Sequence, residues 1–213
     1  MTVYSKRFFN WIRVATAFGM VLLAASPAFA HHAFGGRTPA NFFEGFLAGL
    51  AHPVIGLDHL AFVVAAGLLA VSRGTVLIPI AFVVAALAGT GLHVASWDLP
   101  ILELVIAASV LGFGALLAVR NAVPGWALAA LAALAGVFHG YAYGEAIVGA
   151  QMNPLLAYLL GFTAIQLAIS LGAYRIGKAV WQREGDRSSL PLQFAGFTIC
   201  GMGAAFLASS VMG

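Results

Sequence analysis

Ala51-His52-Pro53-Val54-Ile55-Gly56-Leu57-Asp58-His59 runs directly into Leu60-Ala61-Phe62-Val63-Val64-Ala65-Ala66-Gly67-Leu68-Leu69-Ala70-Val71, and no further charge appears before Arg73. An apolar run of this length, bounded here at 54–72, is close to the ~20 residues that cross a bilayer. A charged side chain within such a run costs about 3 kcal/mol on insertion scales, so ionisable groups found there usually serve function. Two imidazoles and a carboxylate at the head of one span suit a divalent metal ion or a proton.

The rest of the chain has the same character. Of 213 residues, 62% are hydrophobic and 8% charged, with a mean hydropathy of +0.99. A soluble domain carries about 25% charged residues, so the composition predicts an all-α membrane protein. The net charge of +3 and pI near 9.4 do not signal nucleic acid, because the basic residues cluster in loops. Cys200 is the single cysteine and lies in an apolar run, which excludes an internal disulfide and a thiolate metal site.

Residues 1–30 read as an export signal. Lys6, Arg7 and Arg13 precede an apolar run from Val14 to Ala25, and Ala28 and Ala30 supply the small residues of an A-x-A cleavage site. Cleavage after Ala30 would make His31 the new N-terminus, where a free amine and an imidazole together can chelate metal. Residues 31–213 then form a single transmembrane domain. Its spans are expected at 54–72, 75–95, 99–119, 124–148, 152–174 and 190–212, a six-helix bundle punctuated by Gly74, Pro100, Pro124, Pro154 and Pro191. The apolar residues 42–51 form either a re-entrant half-helix or an extension of the first span.

With an exported N-terminus, loop alternation places Arg73, Arg120, Arg175, Lys178, Arg183 and Arg187 on the cytoplasmic side, as the positive-inside rule requires. Both mature termini are then periplasmic, in a multi-pass protein of the bacterial inner membrane. The same alternation gathers the ionisable groups at the periplasmic side. His52, Asp58 and His59 head the first span, His93 closes the second, and Glu103 opens the third. His139 lies about fifteen residues into the fourth, roughly 22 Å along a helix, with Tyr143 and Glu145 beyond it.

The second group reads Phe138-His139-Gly140-Tyr141-Ala142-Tyr143-Gly144-Glu145. His139 and Tyr143 are one turn apart, and the two glycines are expected to loosen the helix. Discontinuous helices of this kind coordinate ions in transporters. The bland alternative is a glycine-mediated helix crossing with interfacial tyrosines, which leaves His139 and Glu145 unexplained. In the first group, Pro53 is expected in the first helical turn with His52 at the cap. His93 alone is equally at home as an interfacial residue, and Gln166 could bond a backbone carbonyl. The candidate metal ligands are thus His31, His52, Asp58, His59, His93, His139, Tyr143 and Glu145.

His-Pro-x-x-Gly-x-Asp-His at 52–59, behind a cleavable signal, resembles the HupE/UreJ family of nickel/cobalt permeases. Phe138-His139-Gly140-x-Ala142-x-Gly144 is similar to the family's second motif, and Gly161-Phe162 to a third, weaker one. The resemblance covers essentially the whole mature chain. It implies six spans and uptake of nickel or cobalt that supplies metalloenzyme maturation. Here Tyr141 and Tyr143 stand where the family often has histidines, and Ser170 replaces another, which implies a weaker or harder donor set.

A divalent metal as substrate and the lipid bilayer as surroundings are the partners expected, with self-assembly and maturation proteins beyond them. No ATP-binding G-x-x-x-x-G-K-[ST] is present. No enzyme is expected, since H-E-x-x-H and G-x-S-x-G are both lacking. The competing reading is a non-transporting membrane subunit in which His93 and His139 ligate haem.

Overall fold

The computed structural model describes residues 37–119, 123–184 and 189–212. The signal segment, His31 and the loop residues Arg120 and Arg187 lie outside the described residues. Seven helices follow in order: α1 (Phe42–Ile55), α2 (Leu57–Arg73), α3 (Leu77–Val94), α4 (Leu102–Ala118), α5 (Gly125–Gly144), α6 (Met152–Glu184) and α7 (Ser189–Met212). Among the described residues there is no strand.

Helices α3, α5, α6 and α7 are each long and apolar enough to cross a membrane, and α1 with α2 makes a fifth candidate if the bent pair is one span. Helix α4 is shorter, at 17 residues. The outer surface is as apolar as the interior. Val84, Leu134, Leu160, Phe194, Phe197 and Val211 all point outward and are exposed, a surface that lipid tolerates and water does not. The chain is a multi-pass membrane protein.

The start of α1 is fixed locally. The Asn41 side chain accepts from the Glu44 amide at 3.0 Å, and the Glu44 carboxylate accepts from the Ala40 amide at 2.9 Å. This is a near relative of the capping box, spelled out in sequence as Asn41-x-x-Glu44. Helix α1 then breaks at Gly56, and α2 leaves at 80° to it. The expected cap at His52 is therefore corrected. Pro53 lies in the last turn of α1, and His52 is that turn's basic residue. Gly56 alone serves as C-cap of α1 and N-cap of α2, in an extended conformation. Its amide donates to the His52 carbonyl and its carbonyl accepts from Leu60.

Helix α2 is the axis of the molecule and touches every other helix. Its Phe62, Val63, Ala65, Ala66 and Ala70 are fully enclosed. Around it, α3 pairs with α5, α4 with α7, and α1 with α6. Relative directions follow from which residues meet. Phe82 faces Gly136 and Ala86 faces Gly140, so α3 and α5 run parallel. Gly45 faces Pro154 and Gly67 faces Ser170, so α6 runs in the same sense as α1 and as α2. Ala118 faces Gly196 and Leu111 faces Gly203, so α4 and α7 are antiparallel.

Helix α5 is continuous through its last turns, contrary to the expectation that Gly140 and Gly144 loosen it. A Cβ on Gly140 would lie within 2.0 Å of the Ala86 carbonyl oxygen, so that glycine exists for close helix approach. The Thr90 hydroxyl staples the crossing by sharing its one hydrogen between the Gly140 and Ala86 carbonyls, at 2.7 and 3.0 Å. The discontinuity that suits an ion site is at Gly56 instead.

Candidate metal centre

The break at Gly56 places the first turn of α2 inside the bundle, opposite the C-terminal third of α5. His59 and His139 are 1% and 0% exposed, and their Nδ1 atoms are 2.8 Å apart. A bond between two ring nitrogens needs a hydrogen on one and a lone pair on the other. The neighbours decide which. The Ser109 hydroxyl lies 2.7 Å from the Ile106 carbonyl, which can only accept, so its single hydrogen goes there. At 2.9 Å from His139 Nε2, the serine oxygen must then be the acceptor. His139 therefore carries its hydrogen on Nε2 and offers its Nδ1 lone pair, and His59 Nδ1–H donates to it.

Asp58 sits in the first turn of α2, where the helix dipole favours a negative charge. Its Oδ1 accepts from the His59 amide at 2.8 Å and lies 3.9 Å from His59 Nδ1. Its side chain keeps 22% exposure, while that of His59 keeps 2%. The carboxylate is thus the member of the group nearest solvent. A Cβ on Gly56 would come within 2.5 Å of His59 Cδ2, so the residue at the break must be glycine for His59 to stand where it does.

Tyr143, one turn beyond His139, completes the group. Its ring meets His59 edge-on at 4.7 Å and His52 at 5.2 Å between centroids. His52 and His59 are 5.8 Å apart although α1 and α2 diverge. The Tyr143 hydroxyl is buried and has no hydrogen-bond partner among the described residues. Tyr158 of α6 joins the cluster by donating to the Tyr143 carbonyl at 2.8 Å. Below His139 the walls are aromatic: Phe62 and Phe82 lie 4.7 and 5.5 Å from its ring, and Phe113 packs on Phe62 at 4.5 Å.

Four candidates from the sequence, His52, His59, His139 and Tyr143, therefore share one buried cluster with Asp58 beside it. His93 does not join them. It packs against Tyr141 at 4.2 Å and over Gly144, at the C-terminal end of α3. Glu145 is the exposed C-cap residue of α5. His31 lies outside the described residues. Among the described residues no group of three or more His, Cys, Asp or Glu side chains is arranged to hold a metal ion. The donors that do converge are a closed imidazole pair with a phenol and a carboxylate at its edge. Ser109 and Tyr158 were not foreseen. A lone serine in an apolar helix carries no signal in its spacing, and Tyr158 is distinguishable only by its register with Phe162 and Gln166.

The family model of the HupE / UreJ proteins matches residues 19–206. Protein HupE of Rhizobium leguminosarum bv. viciae is 33% identical over 163 residues, which is 73% of this chain and 82% of that protein. No solved structure matches the chain. The matched segment contains both halves of the imidazole pair, and the chain belongs to the HupE/UreJ family.

Proposed function

We propose that this chain is a permease for a divalent transition metal, nickel or cobalt, which it takes from the periplasm through six spans of the inner membrane. The carrying observation is the pair of buried imidazoles from α2 and α5 with nitrogens 2.8 Å apart. With metal–nitrogen bonds of about 2.0–2.1 Å, two ligand nitrogens stand about 2.9 Å apart at right angles and about 3.4 Å apart on a tetrahedron. The spacing already suits a right-angled pair. What an arriving ion must displace is the shared hydrogen, since a ligating nitrogen offers a lone pair. Tyr143 and Asp58 supply oxygen donors at the edge, and Asp58, the most exposed member, is the first group an incoming cation meets.

The remaining parts of the reading fit this frame. Helix α4 at 17 residues spans about 25 Å, short of the ~30 Å hydrocarbon core but within reach of a locally thinned bilayer. Counted with α1–α2 as one span it gives six, and residues 1–30 act as the cleaved signal. Delivery to metalloenzyme maturation and self-association are the partnerships the family resemblance suggests. A haem-binding subunit is supported less well. Both ring nitrogens of His139 are bonded to Ser109 and His59, and His93, the other candidate haem ligand, packs on Tyr141 instead.

The test is uptake of nickel and cobalt into cells expressing the chain, with protein level measured in the membrane fraction. His59→Ala and His139→Ala should each cut accumulation at least about tenfold, the effect of roughly 1.4 kcal/mol of lost binding. Wild-type accumulation by both variants at equal expression would reject the site.

A further inference from the structure

One of the lines that helix α6 buries in the bundle is Tyr158, Phe162, Gln166 and Ser170, one turn apart and each no more than 1% exposed. Phe162 packs on Tyr143 at 5.5 Å, which fixes its level beside the imidazole pair. Gly67 meets the Ser170 carbonyl, and α2 and α6 run parallel, so Gln166 lies one turn, about 6 Å, further from His59 along α2. Both atoms of its amide, Oε1 and Nε2, are buried without a hydrogen-bond partner among the described residues. The bond to a backbone carbonyl that Gln166 could make is not formed among the described residues. Ser170, by contrast, is satisfied by donating to the Gln166 carbonyl at 2.7 Å.

An orphaned amide at the core of a membrane bundle is costly unless something visits it. Phe62 packs on His139, Phe82 and Phe113, so the neighbours of the imidazole pair on that side are apolar rings. Beyond the pair, in the direction of Arg73, the buried polar side chains among the described residues are Gln166 and Ser170. An amide offers one acceptor and one donor group. A bare cation matches the oxygen alone, whereas an ion that keeps part of its water shell matches both.

We propose that Gln166 is a second station for the transported ion, taking a partly hydrated divalent cation from the His59–His139 pair toward the cytoplasmic end of α2 and α6. This rests on the permease reading. A neutral carbonyl oxygen holds such an ion more weakly than imidazole does, which suits a step that leads to release.

The experiment uses the full chain, purified and reconstituted into vesicles containing a nickel-sensitive dye, with nickel(II) chloride added outside. Gln166→Leu keeps the volume and removes the orphaned atoms. It should lower nickel influx about tenfold or more, leave the nickel affinity measured by calorimetry within about twofold, and hold or raise the thermal midpoint, since no bond is lost. Gln166→Glu should bind additional nickel per chain. Wild-type influx in Gln166→Leu overturns the station, as does parallel loss of affinity and thermal midpoint, which would make Gln166 a structural support. Unchanged stoichiometry in Gln166→Glu also overturns it. His59→Ala in the same vesicles separates the two claims. If it transports as well as wild type, the permease site itself fails. If it is inactive while Gln166→Leu is normal, only the second station fails.

Discussion

His139 offers one nitrogen to its neighbour because a serine holds the other. Ser109 spends its hydrogen on the Ile106 carbonyl and accepts from His139 Nε2, so the ring meets His59 with a lone pair forward. This makes Ser109 a positioning residue, and partners of that kind are typically worth 10–100-fold in metal affinity. Ser109→Ala is accordingly expected to weaken nickel binding by about 10–100-fold while the chain stays folded in the membrane. Nitrogen-15 spectra of labelled histidine should show His139 shared between tautomers in the variant and held in one in the parent. Ser109→Thr, whose hydroxyl can make the same backbond in a helix, should recover most of the affinity. An alanine variant with parental affinity and a single tautomer would refute the assignment. The imidazoles themselves were legible in the sequence, because an ionisable group in an apolar run stands out. Ser109 was not, because a serine in a span is unremarkable until its partner is known.

At the scale of elements, the site depends on one break in one helix. The sequence reading put Pro53 in the first helical turn and His52 at its cap. In the structure the helix ends and restarts at Gly56 with an 80° bend, and the rings still meet at 5.8 Å. Proline misled because the last turn of α1 tolerates it. The signal lay in the glycine, and glycine in an apolar helix has many causes. Gly140 illustrates this: it also sits in a ligand motif, yet its function is contact with Ala86. Gly56→Ala should therefore act on the site more than on the fold. The new methyl would press on His59 Cδ2, and the ring would have to swing away from His139. Overpacking of this kind costs about 1–3 kcal/mol, here spent in moving a ligand. Nickel affinity should fall about tenfold or more with a small change in thermal midpoint. Gly112→Ala, where nothing lies within 4 Å, should change neither, and equal behaviour of the two variants would show that the break is not what aims His59.

For the molecule as a whole, an all-helical membrane fold was readable from hydropathy and punctuation, whereas the packing partners were not, since every helix is apolar on several faces. What packing adds is direction. Parallel α3 and α5, parallel α6 and α2, and antiparallel α4 and α7 are the relations that strict alternation of six spans demands. Orientation then rests on charge. Helix α6 has 33 residues, about 50 Å of helix, and so must project from a ~30 Å core. Arg175 and Lys178 are exposed on its far portion, while the imidazole pair lies toward the end where α2 begins. If basic residues remain in the cytoplasm, the pair faces the periplasm. Cysteine placed at Lys178 in a Cys200→Ala background should react with an impermeant maleimide only after the cells are permeabilised. Cysteine at Trp97, which is 68% exposed in the loop after α3, should react in intact spheroplasts. The opposite pattern would turn the molecule over. The His59–His139 pair would then load from the cytoplasm, and a chain of the same fold would work as an exporter.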